Sequence, residues 1–516
     1  MTRRHYIWLL AILSVALILR VIQVGERDIW YDEAFTILFT QAGIQSMLTA
    51  TLTPTAFGAA EIHPLLYYTL LSGWIDIFGA GVVAVRAFSV LLGVLTVLVV
   101  FALASDLFGI DTGLAAAAIT ALAPFHVQYS QEARMYSLLA LLLMLATWAF
   151  WRAWRSARRI SLWWLVFGAC AAASVYTQQL GAFYLAAFPA FALSRRRSDK
   201  LPGFIVGVSA ALLLYAPWLI VALPAQLERA TSTYWVTTPT AITILITLRS
   251  FLTVNLAYPA PSSMLGLGVA LVLMLFLLVQ LVIRRRRTPV EHGDALSYSL
   301  YLFVLPIAGL YFFSQWRALY IDRALIGCAI MLYIALAWMF IQGGLPGVMR
   351  VALAFIGLVG VGIGLYYGYT WSSFPNSPFR AMTDQIAQAW QAGDIIIHQD
   401  KLSALPARVY APALNHRFLR DEPGSADDTF ALSSQQSMQF FADHCVQSAA
   451  RGARRVWWVV LSPTPEQYAL IQQLFADQIA WLDASFATRE LYQLNDLIFT
   501  LYTERLVPLD QGMCDP

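Results

Sequence analysis

The sequence predicts a polytopic α-helical membrane protein with about eleven transmembrane helices, juxtamembrane helices on its outer face, and a small C-terminal α/β extracytoplasmic domain. Composition comes first: 59% of the 516 residues are hydrophobic and 12% are charged, about half the roughly 25% of soluble domains. A second observation is the recurrence of apolar runs between Tyr6 and Thr370, each near the ~20 residues that cross a hydrocarbon core. The third is the change at Trp371, after which mixed charges, Gln, Asp and Pro return. The expected division is a transmembrane domain over residues 1–370 and a soluble domain over 371–516. A chain soluble throughout is excluded.

Net charge is only +3, but the basic residues cluster: Arg3-Arg4; Arg152, Arg155, Arg158 and Arg159; Arg195 to Arg197 with Lys200; and Arg284 to Arg287. Each cluster is a short loop between apolar runs, which fits cytoplasmic loops better than a nucleic-acid surface. The N-terminus is therefore expected in the cytoplasm. Span one, about residues 6–24, carries Arg20, lacks a small-residue cleavage site and reads as a retained anchor.

Residues 34–52 are too polar to cross and suit a helix lying on the membrane, as do residues 65–78, interrupted by Asp76. Crossings follow at about 84–105, 112–128, 135–151, 162–178, 180–194 and 203–223. Residues 241–258 contain Arg249 and Asn255 and stay outside. Spans at about 264–283, 297–313, 323–341 and 350–370 complete the set. Gly360, Gly364 and Gly368, spaced by four in the last span, read as close helix packing and not as a nucleotide loop. Beyond it, helical and strand patterns alternate: a helix around 379–390, strands near 394–398 and 456–462, and terminal strands near 490 and 500.

Acidic residues are scarce in such a chain, yet Glu26, Asp28, Asp32 and Glu33 fall within eight positions just outside span one. A carboxylate there can take a proton from an acceptor hydroxyl or help bind a divalent metal. The same pair would also suit an N-cap and the helix dipole, and spacing does not separate the two readings. His63, Glu132, Arg134 and Asp322-Arg323 lie at the outer ends of other apolar segments, on the face of Asp32. Basic groups there suit a lipid phosphate, and equally an anchor at the interface. Tyr67, Tyr68, Trp74, Tyr234 and Trp235 suit sugar and prenyl grooves or an aromatic belt. Cys170 and Cys328 fall in apolar spans, whereas Cys445 and Cys514 lie in the outer domain and are candidates for a disulfide.

Trp30-Tyr31-Asp32-Glu33-Ala34-Phe35, His63-Pro64-Leu65-Leu66-Tyr67-Tyr68, Ala84-Val85-Arg86, Ser130-Gln131-Glu132-Ala133-Arg134-Met135-Tyr136 and Asp322-Arg323-Ala324-Leu325 form a series. The series resembles that of bacterial family 39-type glycosyltransferases, which are similar to the protein mannosyltransferases and aminoarabinose transferases of the GT-C class. The resemblance implies a polyprenyl-phosphate sugar donor, an outer-side acceptor that is a lipid, glycan or protein, and inversion at the anomeric carbon. It implies Asp32 as the catalytic carboxylate, with Glu33 supporting it or positioning the acceptor. His63 becomes a phosphate contact, and Glu132, Arg134, Arg323 and Arg86 become sugar or phosphate ligands. A divalent metal is compatible with the resemblance and not required by it.

Two other classes compete. A transporter or flippase of lipid-linked sugars would show inverted repeats and charges deep inside several spans, and the sequence shows neither. A non-catalytic membrane subunit that keeps the fold would have no need of Asp32-Glu33. The expected location is the cytoplasmic membrane, with the active site and C-terminal domain extracytoplasmic.

Overall fold

The computed structural model describes residues 1–52, 63–229, 236–254, 259–284, 290–420, 431–462 and 464–508. Tyr234, Trp235, Arg285 to Arg287 and Cys514 lie outside the described residues. The chain is an integral membrane protein. Eight described helices are long and apolar enough to cross a membrane, or nine if one bent pair counts as a span. The expected eleven crossings included 162–178 and 180–194. There the structure has one 16-residue helix, Leu162–Thr177, then short helices Gly181–Leu185 and Ala187–Arg195, which fall below a full span in length.

Helix α1 (Arg3–Val21) buries only Ala16 and Arg20, so its apolar surface faces outward, as lipid contact requires. Next, α2 (Tyr31–Gln41) and α3 (Ile44–Leu52) replace the single surface helix expected over 34–52, and Gly43, with φ +85°, makes the corner between them. Helix α4 (Leu66–Phe78) follows and stops at Gly79, also left-handed at φ +83°. Then come α5 (Val82–Phe108), α6 (Ile110–Leu122), α7 (Pro124–Gln131) and α8 (Tyr136–Arg155). Helices α6 and α7, in the region of the crossing expected over 112–128, meet at 59°, with Pro124 opening α7.

The centre of the bundle is the helix Ile326–Ile341, in which 14 of 16 residues are buried. By contrast, the last apolar helix, Gly347–Thr370, buries only Leu353, Gly360 and Gly364. A Cβ at Gly360 would come 2.9 Å from Val269, and one at Gly364 would come 2.5 Å from Pro124. These two glycines are packing positions; Gly368 has open space.

Beyond Trp371, six strands form a mixed sheet: β1 (Asp394–His398), β2 (His416–Leu419), β3 (Ala442–Asp443), β4 (Arg455–Leu461), β5 (Phe486–Leu494) and β6 (Leu497–Arg505). Their order is β3-β2-β1-β4-β6-β5; β1 to β4 run parallel, while β4–β6 and β5–β6 pair antiparallel. All five residues of β1 are buried, the pattern of a parallel strand covered on both faces. His398 and His416 are buried and hydrogen-bonded to each other at 3.2 Å, with Ser403 on His398 Nδ1 at 3.0 Å. They are packing residues of the sheet. Cys445 is disulfide-bonded; Cys170 and Cys328 are free.

Candidate active site

The loop after α1 and the first turn of α2 bring the acidic residues to the bundle. Trp30 occupies the N-cap of α2 without a side-chain cap, so Asp32 and Glu33 sit inside the first turn and neither caps it. Consecutive helical residues point about 100° apart, and these two carboxylates enter different surroundings.

Glu33 points inward and is fully buried. Arg86 of α5 binds it with both prongs of the guanidinium, Nε to Oε1 at 2.8 Å and Nη2 to Oε2 at 2.6 Å, and Ala133 N–H donates to Oε1 at 2.8 Å. Arg86 also donates to the carbonyls of Val24 at 2.9 Å, Arg27 at 2.6 Å and Asp28 at 3.1 Å. Burial raises the Glu33 carboxyl, but Arg86, Arg27 and the Ala133 N–H outweigh it and hold Glu33 ionised. The sequence reading placed Glu33 in the catalytic pair, supporting Asp32 or positioning the acceptor, and Arg86 among the sugar or phosphate ligands. Sealed from solvent and surrounded by internal partners, the two pin the loop 24–28 and the 132–134 turn to α5.

Asp32 is 13% exposed and faces two guanidinium groups, Arg323 at 3.1 Å and Arg134 at 3.6 Å, both against Oδ2. Arg134 Nη1 donates to the Asp32 carbonyl at 3.3 Å, Thr36 Oγ1 at 3.1 Å and Tyr68 Oη at 3.2 Å, which fixes its plane. Arg323, in the short turn Asp322–Leu325, lies over the rings of Tyr136 at 5.3 Å and Trp30 at 5.7 Å. Burial pushes the Asp32 carboxyl up, yet Arg134, Arg323 and then His63 together bring it below the usual carboxylate range. Asp32, Arg134, Arg323 and His63, named from different apolar segments, thus belong to one cluster. It combines one carboxylate with two fixed guanidinium groups, a donor set matched to phosphate oxygens.

Glu132 lies beside this cluster at the end of α7 and is 3% exposed. Gln128 Nε2 donates to its Oε1 at 3.3 Å, and burial pushes its carboxyl up to about 7. Among the described residues no group of three His, Cys, Asp or Glu side chains is placed to hold a metal ion.

Three supports escaped the sequence reading of the site. Asp28 accepts from Arg380 N at 3.1 Å and Tyr410 Oη at 3.3 Å, while Tyr410 Oη accepts from Ile29 N at 2.7 Å. Both partners belong to the C-terminal region, so that region grips the loop four residues before Asp32. Arg20 is fully buried and donates to the carbonyls of Ala16 at 2.9 Å and Ala121 at 3.1 Å and to His126 Nδ1 at 2.6 Å. It satisfies a carbonyl freed where α6 breaks, and so supports α7, which leads into the turn bearing Glu132 and Arg134. The charge of Arg20 inside an apolar run was the available signal. No periodicity marks Tyr410 or Arg380.

Residues 62–221 match the model of the dolichyl-phosphate-mannose-protein mannosyltransferase family. No curated protein matches in sequence. Among solved structures, the apo state of ArnT from Cupriavidus metallidurans superposes with a TM-score of 0.63 at 13% identity, covering 96% of this chain and 97% of that one. The same protein bound to undecaprenyl phosphate gives 0.61 at 14% identity, covering 98% and 99%. The archaeal oligosaccharyltransferase AglB from Archaeoglobus fulgidus, in complex with an inhibitory peptide and a dolichol-phosphate, gives 0.54 at 13% identity, covering 98% and 76%. The chain has the GT-C fold, shared with the ArnT structures from its first helix to its C-terminal sheet.

Proposed function

We propose that this protein is an inverting glycosyltransferase that moves a sugar from a polyprenyl-phosphate carrier to an acceptor on the extracytoplasmic side of the membrane. The observation that carries the reading is Asp32 held between Arg134 and Arg323, residues from the ends of separate apolar segments. The undecaprenyl phosphate and dolichol-phosphate in the two similar structures support a carrier of that chemistry. The basic clusters around Arg152 and Arg195 support a cytoplasmic N-terminus, with the C-terminal domain, residues 371–516, extracytoplasmic.

Chemically the site has to bind the carrier phosphate, orient the acceptor hydroxyl behind the anomeric carbon and stabilise charge as the phosphate leaves. Arg134 and Arg323 are the phosphate ligands, and they act without reorganisation because Tyr68, Thr36 and the rings of Trp30 and Tyr136 fix them. His63 adds a polar group on the same carboxylate. Asp32 balances the two guanidinium groups and faces the developing positive charge on the sugar.

The test is transfer of radiolabelled sugar from polyprenyl-phosphate donors to membrane acceptors by the purified protein in vesicles. Label moving with wild type and not with Arg134→Met supports the reading. No movement from any polyprenyl-phosphate sugar overturns it.

A further inference from the structure

The end of the bundle away from Asp32 carries a second concentration of charge, and it is basic. Helix α8 begins at Tyr136, against Arg323 of the site, and its 20 residues reach Arg155 about 30 Å away. That length matches a hydrocarbon core, so Arg155 and its neighbours belong at the opposite membrane boundary. Between Trp151 and Leu201 the chain holds eight Lys and Arg residues and one acid, Asp199.

Two segments that follow separate helices are joined here. Lys200 is buried and donates from Nζ to the Ser156 carbonyl, and a Cβ at Gly203 would run into the Arg159 carbonyl and the Trp164 indole. The connection after α8 and the one after the helix Ala187–Arg195 therefore make one surface. Aromatic rings hold several of its guanidinium groups in place. Arg152 lies over Trp163 at 5.3 Å, Arg155 over Trp151 at 5.9 Å and Arg197 over Trp154 at 5.6 Å. Acids meet only part of the charge: Asp106 faces Arg152 at 3.4 Å, Asp294 faces Arg195 at 3.0 Å and Asp199 faces Arg197 at 3.0 Å. Arg158, Arg159 and Arg196 are exposed and have no acidic partner among the described residues.

Aliphatic side chains flank these three. Ile160 is 56% exposed, and Leu162 and Leu193 are each 73% exposed. In a membrane protein such groups are accommodated by lipid, which puts the adjoining guanidinium groups at headgroup depth. We propose that segments 156–161 and 196–200 form a docking surface for anionic phospholipid headgroups, with Arg158, Arg159 and Arg196 binding the phosphodiester oxygens. Paired N–H donors match guanidinium to phosphate, whereas a zwitterionic headgroup brings its own cation and gains less. A nucleic acid would suit the charge and leave the aliphatic side chains uncovered. The surface is separate from the site around Asp32 and does not depend on the reaction proposed there.

The experiment follows lipid binding to the purified full-length protein in detergent by native mass spectrometry, as phosphatidylglycerol or phosphatidylcholine is added. Phosphatidylglycerol is expected to bind the more tightly. The triple variant Arg158→Gln/Arg159→Gln/Arg196→Gln is expected to weaken it by about fivefold per arginine, roughly 100-fold in all, with phosphatidylcholine binding and the unfolding temperature unchanged. If the triple variant unfolds early, Arg158→Gln and Arg196→Gln singly are each expected to show the loss of about fivefold. Equal binding of the two lipids by wild type, or an undiminished preference for phosphatidylglycerol in the variants, overturns the proposal. Displacement of the bound lipid by millimolar glycerol phosphate or by a short oligonucleotide also overturns it, because the surface then belongs to a soluble anion.

Discussion

Asp32 and Glu33 are neighbours in one helical turn, and their surroundings have almost nothing in common. Glu33 has Arg86 in contact with both its oxygens, Arg27 nearby, a backbone N–H and no solvent; Asp32 has two arginines, a histidine nearby and a 13% opening. The clamp around Glu33 joins α2, α5 and the 132–134 turn, whereas the cluster around Asp32 gathers groups that a phosphate can bind. A pair of adjacent acids therefore supplies one fastener and one working group. The fastener works by being complete, and the working group by being under-filled.

The comparison can be broken first at the clamp. Glu33→Gln leaves Arg86 buried without its counter-charge, and the expected loss is about 3–5 kcal/mol of stability, read as a lower unfolding temperature in detergent. Adding Arg86→Met to that variant removes the orphaned charge and is expected to recover part of the loss; no recovery would mean that Arg86 matters mainly through its three carbonyl contacts. On the Asp32 side, Arg323→Met is expected to lower transfer by about 10²–10³-fold, or ~3–4 kcal/mol of barrier, with unfolding temperature near wild type. An equal fall in stability would merge the two regions.

A third test asks whether the C-terminal sheet has its own pH limit. Burial lowers His398 well below its usual value and His416 to about 4, so both are neutral in the fold and take protons on unfolding. A folded value below the unfolded one places the stabilisation above about pH 6.5 and removes it as pH falls toward 4. Fluorescence of Trp457 and Trp458 should report earlier unfolding over that range, by roughly 3 kcal/mol for His416. His416→Gln should flatten the slope. The smallest effect is expected at the clasp between the two parts of the chain, where Tyr410→Phe removes hydrogen bonds to Asp28 and Ile29. About 1 kcal/mol of stability and a modest rise in KM are the expected outcome, measured by unfolding and by transfer kinetics.

Much of this was legible. Apolar runs placed most helices, the shift after Trp371 marked the start of the sheet region, and β1 and β4 lie within one residue of the strands expected at 394–398 and 456–462. Asp32, Arg134 and Arg323 were legible as rare charges at the ends of apolar segments. What escaped was direction: a 100° step along a helix decides whether Asp32 or Glu33 faces the bundle, and residue type does not record it. Arg86 had the composition of a ligand and the geometry of a fastener. The helix expected at 162–178 is Leu162–Thr177, ended by the polar Gln178-Gln179, whereas the one expected at 180–194 is broken after Leu185. Asp28, Tyr410 and Arg380 meet across 352 and 382 residues of chain, beyond the reach of any local pattern.

The most direct measurement compares Asp32→Asn with Glu33→Gln, assaying sugar transfer from a polyprenyl-phosphate donor and thermal unfolding on the same preparations. The expected result is that Asp32→Asn loses transfer by about 10³-fold while unfolding near the wild-type temperature, and Glu33→Gln unfolds earlier. An Asp32→Asn protein that transfers sugar at the wild-type rate would contradict the account.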